Sequence, residues 1–491
     1  MDLAKRSLFS ISWNFLANLA VNGVAFVRAI LLARLLPVNV FGIYAGYHAI
    51  LTVTVTLTEF GMLNAFVHRA PETENEDDAA RVHFSVRLFL LTIWGILAIL
   101  GAVLWLDHSQ RAPFLWMILA TGIYQLTMPA QAVLVRRVQH GKTATIHILF
   151  TLVHAMIAVI TAWLGWGIYA IIISELVAAL VAFIGYYFVR PAWRLKLGWN
   201  KDIYRYYLDF GKRAYASTFL YQLLENVDDL WTRFRLGEIP LGFYSKAYRF
   251  ASYPRFILAN PVTMVIGGTF AELKTDRKAL SQAFNHVNAL LIRTGFLLAG
   301  WMALIAPEFI SILLTDKWLP MLDAFRLMLI FTLLDPLKIS IAQVLNAVGK
   351  PEKVVLARAI QLAVLMIGLA WLSPLWGIAG VALAVDFMLM TGIAILLVQV
   401  RKYVDYSVVG LFFVPSISLI AGLTLTQWTF RIFETSTSDW FSLTFKTVLF
   451  VLGYLLVLII FERKRLLRMW HTVRQILKSS STVEENYVAS E

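Results

Sequence analysis

Three cations stand in one short stretch, LGFYSKAYRFASYPRF at 241–256: Lys246, Arg249 and Arg255, interleaved with Tyr244, Tyr248 and Tyr253 and flanked by apolar chain. Arg28, Arg293 and Lys338 are equally out of place among apolar neighbours. Charge in a lipid-exposed helix is costly, so such residues face a cavity, line a path for a charged substrate or pair with an acid. Acids occur in similar settings: Glu59, Glu175, Glu225, Asp228, Asp229, Asp335 and Asp386. At membrane depth they suit either sites for a coupling cation or partners that hold the arginines. Asn14, Asn18, His48, Tyr221, Gln222 and Tyr253 add uncharged polar groups as candidate lining.

Spacing decides which of these share a face. At the helical period Thr218, Tyr221, Gln222, Glu225, Asp228 and Asp229 fall within an arc of roughly 120°, opposite Phe219, Leu220, Leu223, Leu230 and Trp231. Tyr44, His48, Thr52 and Glu59 align more weakly. Asn14, Asn18 and Asn22 recur at i, i+4 and i+8, with Arg28 beyond them. Asp335, Lys338 and Asn346 share one side of another segment, and His286 lies one heptad before Arg293.

Each pattern also has a plainer explanation. The asparagines serve equally as interhelical hydrogen-bonding residues. Asp335 and Lys338 neutralise each other at i, i+3. Glu225, Asp228 and Asp229 fit the outer headgroups, with Arg233 and Arg235 as counter-ions, and a lone His48 or His286 fits simple packing. Arg28 has no acid nearby in sequence and reads as lining a cavity.

The elements that must position these groups are transmembrane helices. The chain has 491 residues, 59% of them hydrophobic, against about 45–50% in soluble domains. Apolar runs of about 20 residues recur from end to end, each long enough to span a bilayer. The short alternating segments of a β-barrel are missing. The expected fold is all-α and integral to the membrane, with about fourteen spans. Their extents are 10–35, 40–67, 83–106, 112–135, 143–164, 167–189, 211–235, 241–270, 283–306, 320–347, 353–373, 376–400, 407–430 and 440–461.

With both termini in the cytoplasm, the even-numbered connections and the tails carry most of the 43 Lys and Arg. The segment ERKRLLRMWHTVRQILKSS reads as a basic amphipathic helix on anionic membrane lipid, followed by a disordered tail. The segment WGIYAIIISE (166–175) resembles WGIAGVALAVD (376–386), and FGIY (41–44) resembles LGFY (241–244). The offsets are 210 and 200 residues. The repeats suggest two pseudo-symmetric six-helix lobes, 1–200 and 201–405, two additional spans at 406–463, and the helix and tail at 464–491.

Several classes are excluded or disfavoured. There is no cysteine, hence no disulfide, thiolate metal site or cysteine nucleophile. No cleavable signal peptide is expected, because the first apolar run is a full-length span. The net charge of +13 is spread over short loops, which disfavours nucleic acid as a partner. The GKT at 141–143 lacks the leading glycine of a phosphate loop. Asp228 and Asp229 mimic the acids of a membrane glycosyltransferase, but no large external loop is expected to house such a site. No enzyme activity, cofactor or metal is expected.

Several stretches look like one known family. ILLARLLPVNVFGIYA (30–45) resembles the first hairpin of Wzx-type polysaccharide flippases. ENVDDLWTRFRLGEIPLGFYSKAYRFASYP (225–254) resembles their seventh and eighth spans. LLTDKWLPMLDAFRLM (313–328) and VLNAVGKPEKV (344–354) resemble the region of their tenth. The chain is most similar to the fourteen-span polysaccharide transporter branch of the MOP superfamily, relatives of the MATE drug exporters and the lipid II flippases. One departure is GGTFAEL at 267–273, where the family often has Phe-Pro at the end of the eighth span.

The resemblance implies a lobed, MATE-like fold in a bacterial inner membrane. It implies transfer of an undecaprenyl-diphosphate-linked oligosaccharide from inner to outer leaflet, for O-antigen, capsule or exopolysaccharide. Pathway glycosyltransferases and a polymerase are the expected partners. A diphosphate crossing a low-dielectric region needs cations, and Arg28, Lys246, Arg249, Arg255, Arg293 and Lys338 are the candidates. Tyr221 and Tyr253 suit sugar rings. The acids suit coupling to Na⁺ or H⁺. The alternatives are a MATE-like small-molecule antiporter and a membrane glycosyltransferase or polymerase. Within 241–256, Lys246 and Arg249 share a face with Tyr253 and Asn260, while Arg255 points away beyond Pro254, either redirected by a kink or paired with an acid on a neighbouring span.

Overall fold

Polar interruptions, more than apolar runs, shape the helices. The computed structural model describes residues 3–68, 76–137, 139–189, 191, 193, 195–432 and 438–488, with side chains from residue 18 to 463 apart from a few positions, 212–214 and 260–261 among them. The Asn14 and Asn260 side chains, and those of the basic C-terminal helix, lie outside the described residues.

Two compact units divide the chain. The first is Trp13–Gly242. It holds α1 (Leu3–Leu35, from Trp13 on), α2 (Val38–Thr56), α3 (Met62–His68), α4 (Glu76–Trp105), α5 (His108–Gln125), α6 (Met128–Arg136), α7 (His140–Trp163), α8 (Ile168–Ile184), α9 (Lys201–Leu224) and α10 (Val227–Arg235). The second unit is Met1–Ser12 with Phe243–Glu491. It holds most of α11 (Glu238–Pro254), then α12 (Asn260–Glu272), α13 (Arg277–Leu304), α14 (Ala306–Phe309), α15 (Leu322–Ala347), α16 (Pro351–Val400), α17 (Val408–Ile432) and α18 (Asp439–Val488). The stretch read as a disordered tail continues as backbone helix to Val488.

Eleven helices among the described residues are long and apolar enough to cross a membrane. One of them, α16, is a hairpin of two spans turning at Trp376 (φ −127°) and Gly377 (φ 55°). The segments at 201–235 and 238–272 fail on apolarity alone, because they carry the acids and cations singled out above. Counted with these, the described residues hold helical segments at all fourteen positions expected from sequence. Exposed apolar side chains such as Phe89, Leu97, Leu104 and Leu456 cover the outer faces, as lipid contact requires.

Four expected spans are not straight rods. Span 2 unwinds after Thr56, and its chain passes through Phe60 (φ 45°) and Gly61 (φ 67°) before α3. Span 4 breaks at Leu126 and Thr127. Span 7 breaks at Glu225 and Asn226, between α9 and α10. Span 8 ends its first helix at Pro254 and opens into one wide π-turn, Arg255–Ala259, before α12. Proline removes an intrahelical donor, and a π-turn is a common way to absorb the mismatch.

The internal repeat has a backbone signature. Gly167 and Gly377, 210 residues apart, open the second helix of equivalent hairpins with φ/ψ of 55°/−127° and 55°/−131°. A side chain is strained in that region, which explains the glycine in both copies. The FGIY and LGFY glycines meet each other: at Gly42 the nearest atoms belong to Glu238 and Gly242, and at Gly242 to Val38. A Cβ at either position would overlap backbone.

Candidate functional site

Two polar clusters form inside the apolar spans, one in each unit. In the first unit, Arg28 on α1 points its Nη1 to His154 Nε2 on α7 at 2.5 Å. A guanidinium only donates, so in this contact the ring nitrogen is the acceptor. Glu175 on α8 places Oε1 3.4 Å from the same nitrogen and accepts a 2.6 Å hydrogen bond from Tyr44 on α2. Arg28, His154 and Glu175 thus form one connected polar cluster. His48 stands one turn from Tyr44, with ring centroids 5.9 Å apart. A cavity of about 200 Å³ opens beside this cluster, lined in part by Tyr44, His48, Tyr124, Phe150 and Glu175.

In the second unit, Asp335 on α15 is buried, and two cations share it. Arg255 Nη1 lies 2.5 Å from Oδ2 and Lys338 Nζ 2.7 Å from Oδ1. The trio carries one net positive charge. Arg255 sits over Phe256 and Phe331 at 5.0 and 5.3 Å, and Lys338 over Phe331 at 5.6 Å, so cation–π attraction supplements the single carboxylate. The π-turn after Pro254 is what delivers Arg255 here. Of the two outcomes expected for Arg255, pairing with an acid on a neighbouring span is the one found, and the expected Asp335–Lys338 pair is present as well.

The remaining candidates scatter. Lys246 is buried, with its ammonium 6.0 Å from the Phe250 ring, while Arg249 is exposed. Tyr253 is buried beside Phe250. Arg293 is fixed: Nε and Nη2 bind Glu462 at 2.6 and 2.5 Å, and Nη1 donates to the Ala289 carbonyl at 2.9 Å. Asp386 is buried, and neither carboxylate oxygen has a hydrogen-bond partner among the described residues. Asn18 is exposed.

Helix breaks change two alignments drawn on straight helices. Glu59 falls in the turn after α2 and leaves the face of Tyr44, His48 and Thr52. The arc of span 7 is cut at Glu225, so Thr218, Tyr221 and Gln222 sit on α9, while Asp228 and Asp229 begin α10. Tyr221 is exposed and Asp228 buried. Arg233 pairs with Glu238 at 2.5 Å, on the far side of the Gly237 turn, where it had been expected to serve those acids.

Sequence reasoning missed His154, Arg87 and the pair Lys446–Glu308. The signal for His154 was available: His147, Phe150 and His154 repeat at helical spacing on α7, and Phe150 packs against both histidines.

This is the architecture of a multi-pass membrane protein. The fold matches the lipid II flippase MurJ in an inward closed conformation with a TM-score of 0.73, covering 93% of this chain and 99% of that one at 14% identity. It matches an inward-facing multidrug resistance MATE transporter of the MOP superfamily with a TM-score of 0.59, covering 79% of this chain and 97% of that one at 14% identity. The model of the polysaccharide biosynthesis protein family matches residues 31–323, and the chain belongs to that family.

Among similar chains is the succinoglycan biosynthesis transport protein ExoT of Rhizobium meliloti (strain 1021), 26% identical over 326 residues. That alignment spans 64% of either chain, just under two thirds of the relative's length. The lipopolysaccharide biosynthesis protein WzxC of Escherichia coli (strain K12) is 22% identical, over 72% of each chain. An uncharacterized membrane protein in the cps region of Klebsiella pneumoniae is 23% identical over 98% of this chain and all of its own length.

Proposed function

We propose that this chain is a flippase for lipid-linked oligosaccharide, carrying an undecaprenyl-diphosphate-linked repeat unit from the inner to the outer leaflet of a bacterial inner membrane. The observation that carries the reading is the buried cluster in which Arg255 and Lys338 share the Asp335 carboxylate. A diphosphate is attracted to two cations that share one carboxylate, through paired donors from Arg255 and a point charge from Lys338. Buried Lys246 supports the same use. In this reading two six-helix lobes alternate access, both termini are cytoplasmic, and glycosyltransferases and a polymerase of one pathway act before and after.

The test is complementation of a strain lacking its own flippase, scored by surface polysaccharide. Wild type should restore export. Arg255→Ala and Lys338→Ala, at matched membrane levels, should cut export about tenfold or more, as expected for losing one charge-assisted phosphate contact. Arg293→Ala should act through stability, because its donors are engaged by Glu462 and Ala289. Full export by Arg255→Ala, Lys338→Ala and Lys246→Ala would sink the cationic mechanism.

Coupling to an ion gradient belongs to the same proposal, and the partnerless carboxylate of Asp386 supports it. Asp386→Asn should leave the protein folded but make export independent of the gradient that drives wild type. Wild-type export indifferent to both Na⁺ and H⁺ gradients would remove the coupling idea.

A further inference from the structure

The cavity in the first unit is built for something other than an anion. It lies along the middle of α2, α7 and α8 and the end of α5, where polar lining is costly unless it is used. Glu175 supplies an acceptor. Its Oε1 takes both the Tyr44 proton and the contact with His154, and the residue lines the cavity. Gln125 supplies a donor. Its Oε1 is taken by Arg87 Nη2 at 2.5 Å, and a guanidinium fixes which end of an amide it meets, so the –NH₂ is left to donate. Thr52 and Thr121 add hydroxyls. Tyr124 and Phe150 form a ring pair, centroids 5.5 Å apart at 46°, along another part of the wall.

These groups define the ligand class. A carboxylate and an amide –NH₂ among the lining groups match sugar hydroxyls, which each donate and accept. Aromatic faces match the C–H faces of a sugar ring. A bare cation is a poor fit, because the cavity of about 200 Å³ offers one carboxylate and an amide donor. An acidic sugar is a poor fit because of Glu175. The size admits a single ring and not an extended chain.

We propose that this cavity is a subsite for one neutral sugar ring of the saccharide cargo, read by Glu175 and Gln125 and stacked on Tyr124 and Phe150. The proposal rests on the flippase reading and assigns a part of specificity to a site separate from the cations of the second unit. Arg28, His154 and Arg87 act behind it as positioning residues.

The experiment uses the full chain in lipid nanodiscs and saturation-transfer NMR. Glucose, galactose, N-acetylglucosamine, rhamnose and glucuronate are the probes. At least one neutral sugar should bind and glucuronate should not. Glu175→Gln and Thr121→Leu should each weaken that binding about tenfold, the scale of one good hydrogen bond. Thr121→Leu lies outside the ion network, so it decides the matter if Glu175→Gln fails to fold. No binding by any neutral sugar up to about 100 mM, or binding unchanged in Thr121→Leu, overturns the subsite. Export separates the two readings. Wild type failing to complement overturns the flippase reading. Wild type complementing while Thr121→Leu exports the same repeat unit equally well overturns the subsite alone.

Discussion

Asp335→Ala should destabilise the folded chain by about 5 kcal/mol, the upper end for breaking a buried ion pair, because two cations lose their partner at once. The Asp335 side chain is 4% exposed, and those of Arg255 and Lys338 are 11% and 18% exposed. Water therefore offers little replacement for the lost carboxylate. Asp335→Asn should be milder, since an amide oxygen still accepts one hydrogen bond. The measurement is thermal unfolding in detergent with ligand-free protein. Replacing all three with Leu or Met should recover most of the stability, since a well-packed apolar trio often equals a buried ionic one. That triple variant should still fail to export. Stability near wild type in Asp335→Ala would mean that the trio is not desolvated.

Glu462→Ala should cost about 3–5 kcal/mol for a related reason. Arg293 is 4% exposed and is bound bidentately by Glu462. Tyr454 donates to the Arg293 carbonyl at 2.9 Å, so backbone and side chain are both tied to α18. Arg293→Lys should recover little, because an ammonium cannot reproduce the two parallel bonds. Glu462→Gln should fall between. A melting temperature unchanged in both Glu462→Ala and Arg293→Lys would contradict the assignment. Export normalised to folded protein should stay near wild type in Glu462→Gln, which separates this pair from the Asp335 trio.

Much of this was legible in the sequence, and the failures share a cause. Apolar length gave the spans, since a bilayer of fixed thickness permits few alternatives. The pair Asp335–Lys338 was legible because i, i+3 neighbours on one helix must meet. Pro254 marked the place where Arg255 changes direction. The arcs of spans 2 and 7 went wrong because a helical projection assumes one uninterrupted rotation per residue. Each of those spans stops part-way, at Thr56 and at Leu224, and the residues beyond start a new phase. The partners of Arg28 and Arg293 were illegible for a different reason. His154 and Glu462 are 126 and 169 residues away, and only packing brings them close. The cavity beside Glu175 depends on Arg87 fixing Gln125 from another helix, a relation that no local pattern announces.

The bond between Arg293 and Glu462 sets a schedule for making the protein. The two residues are 169 positions apart, and the carboxylate sits where the last span ends. A ribosome adding about 5–20 residues each second needs roughly 10–30 s to travel from one to the other. Throughout that interval the nascent chain holds an arginine whose counter-charge has not been synthesised. Until the last span is made, α13 carries its arginine without the carboxylate that binds it in the finished fold, at a cost of a few kcal/mol. Chains that stop just before Glu462 would keep all fourteen expected spans and still lack the carboxylate that Arg293 binds, so they should be less stable than chains that stop a few residues after it.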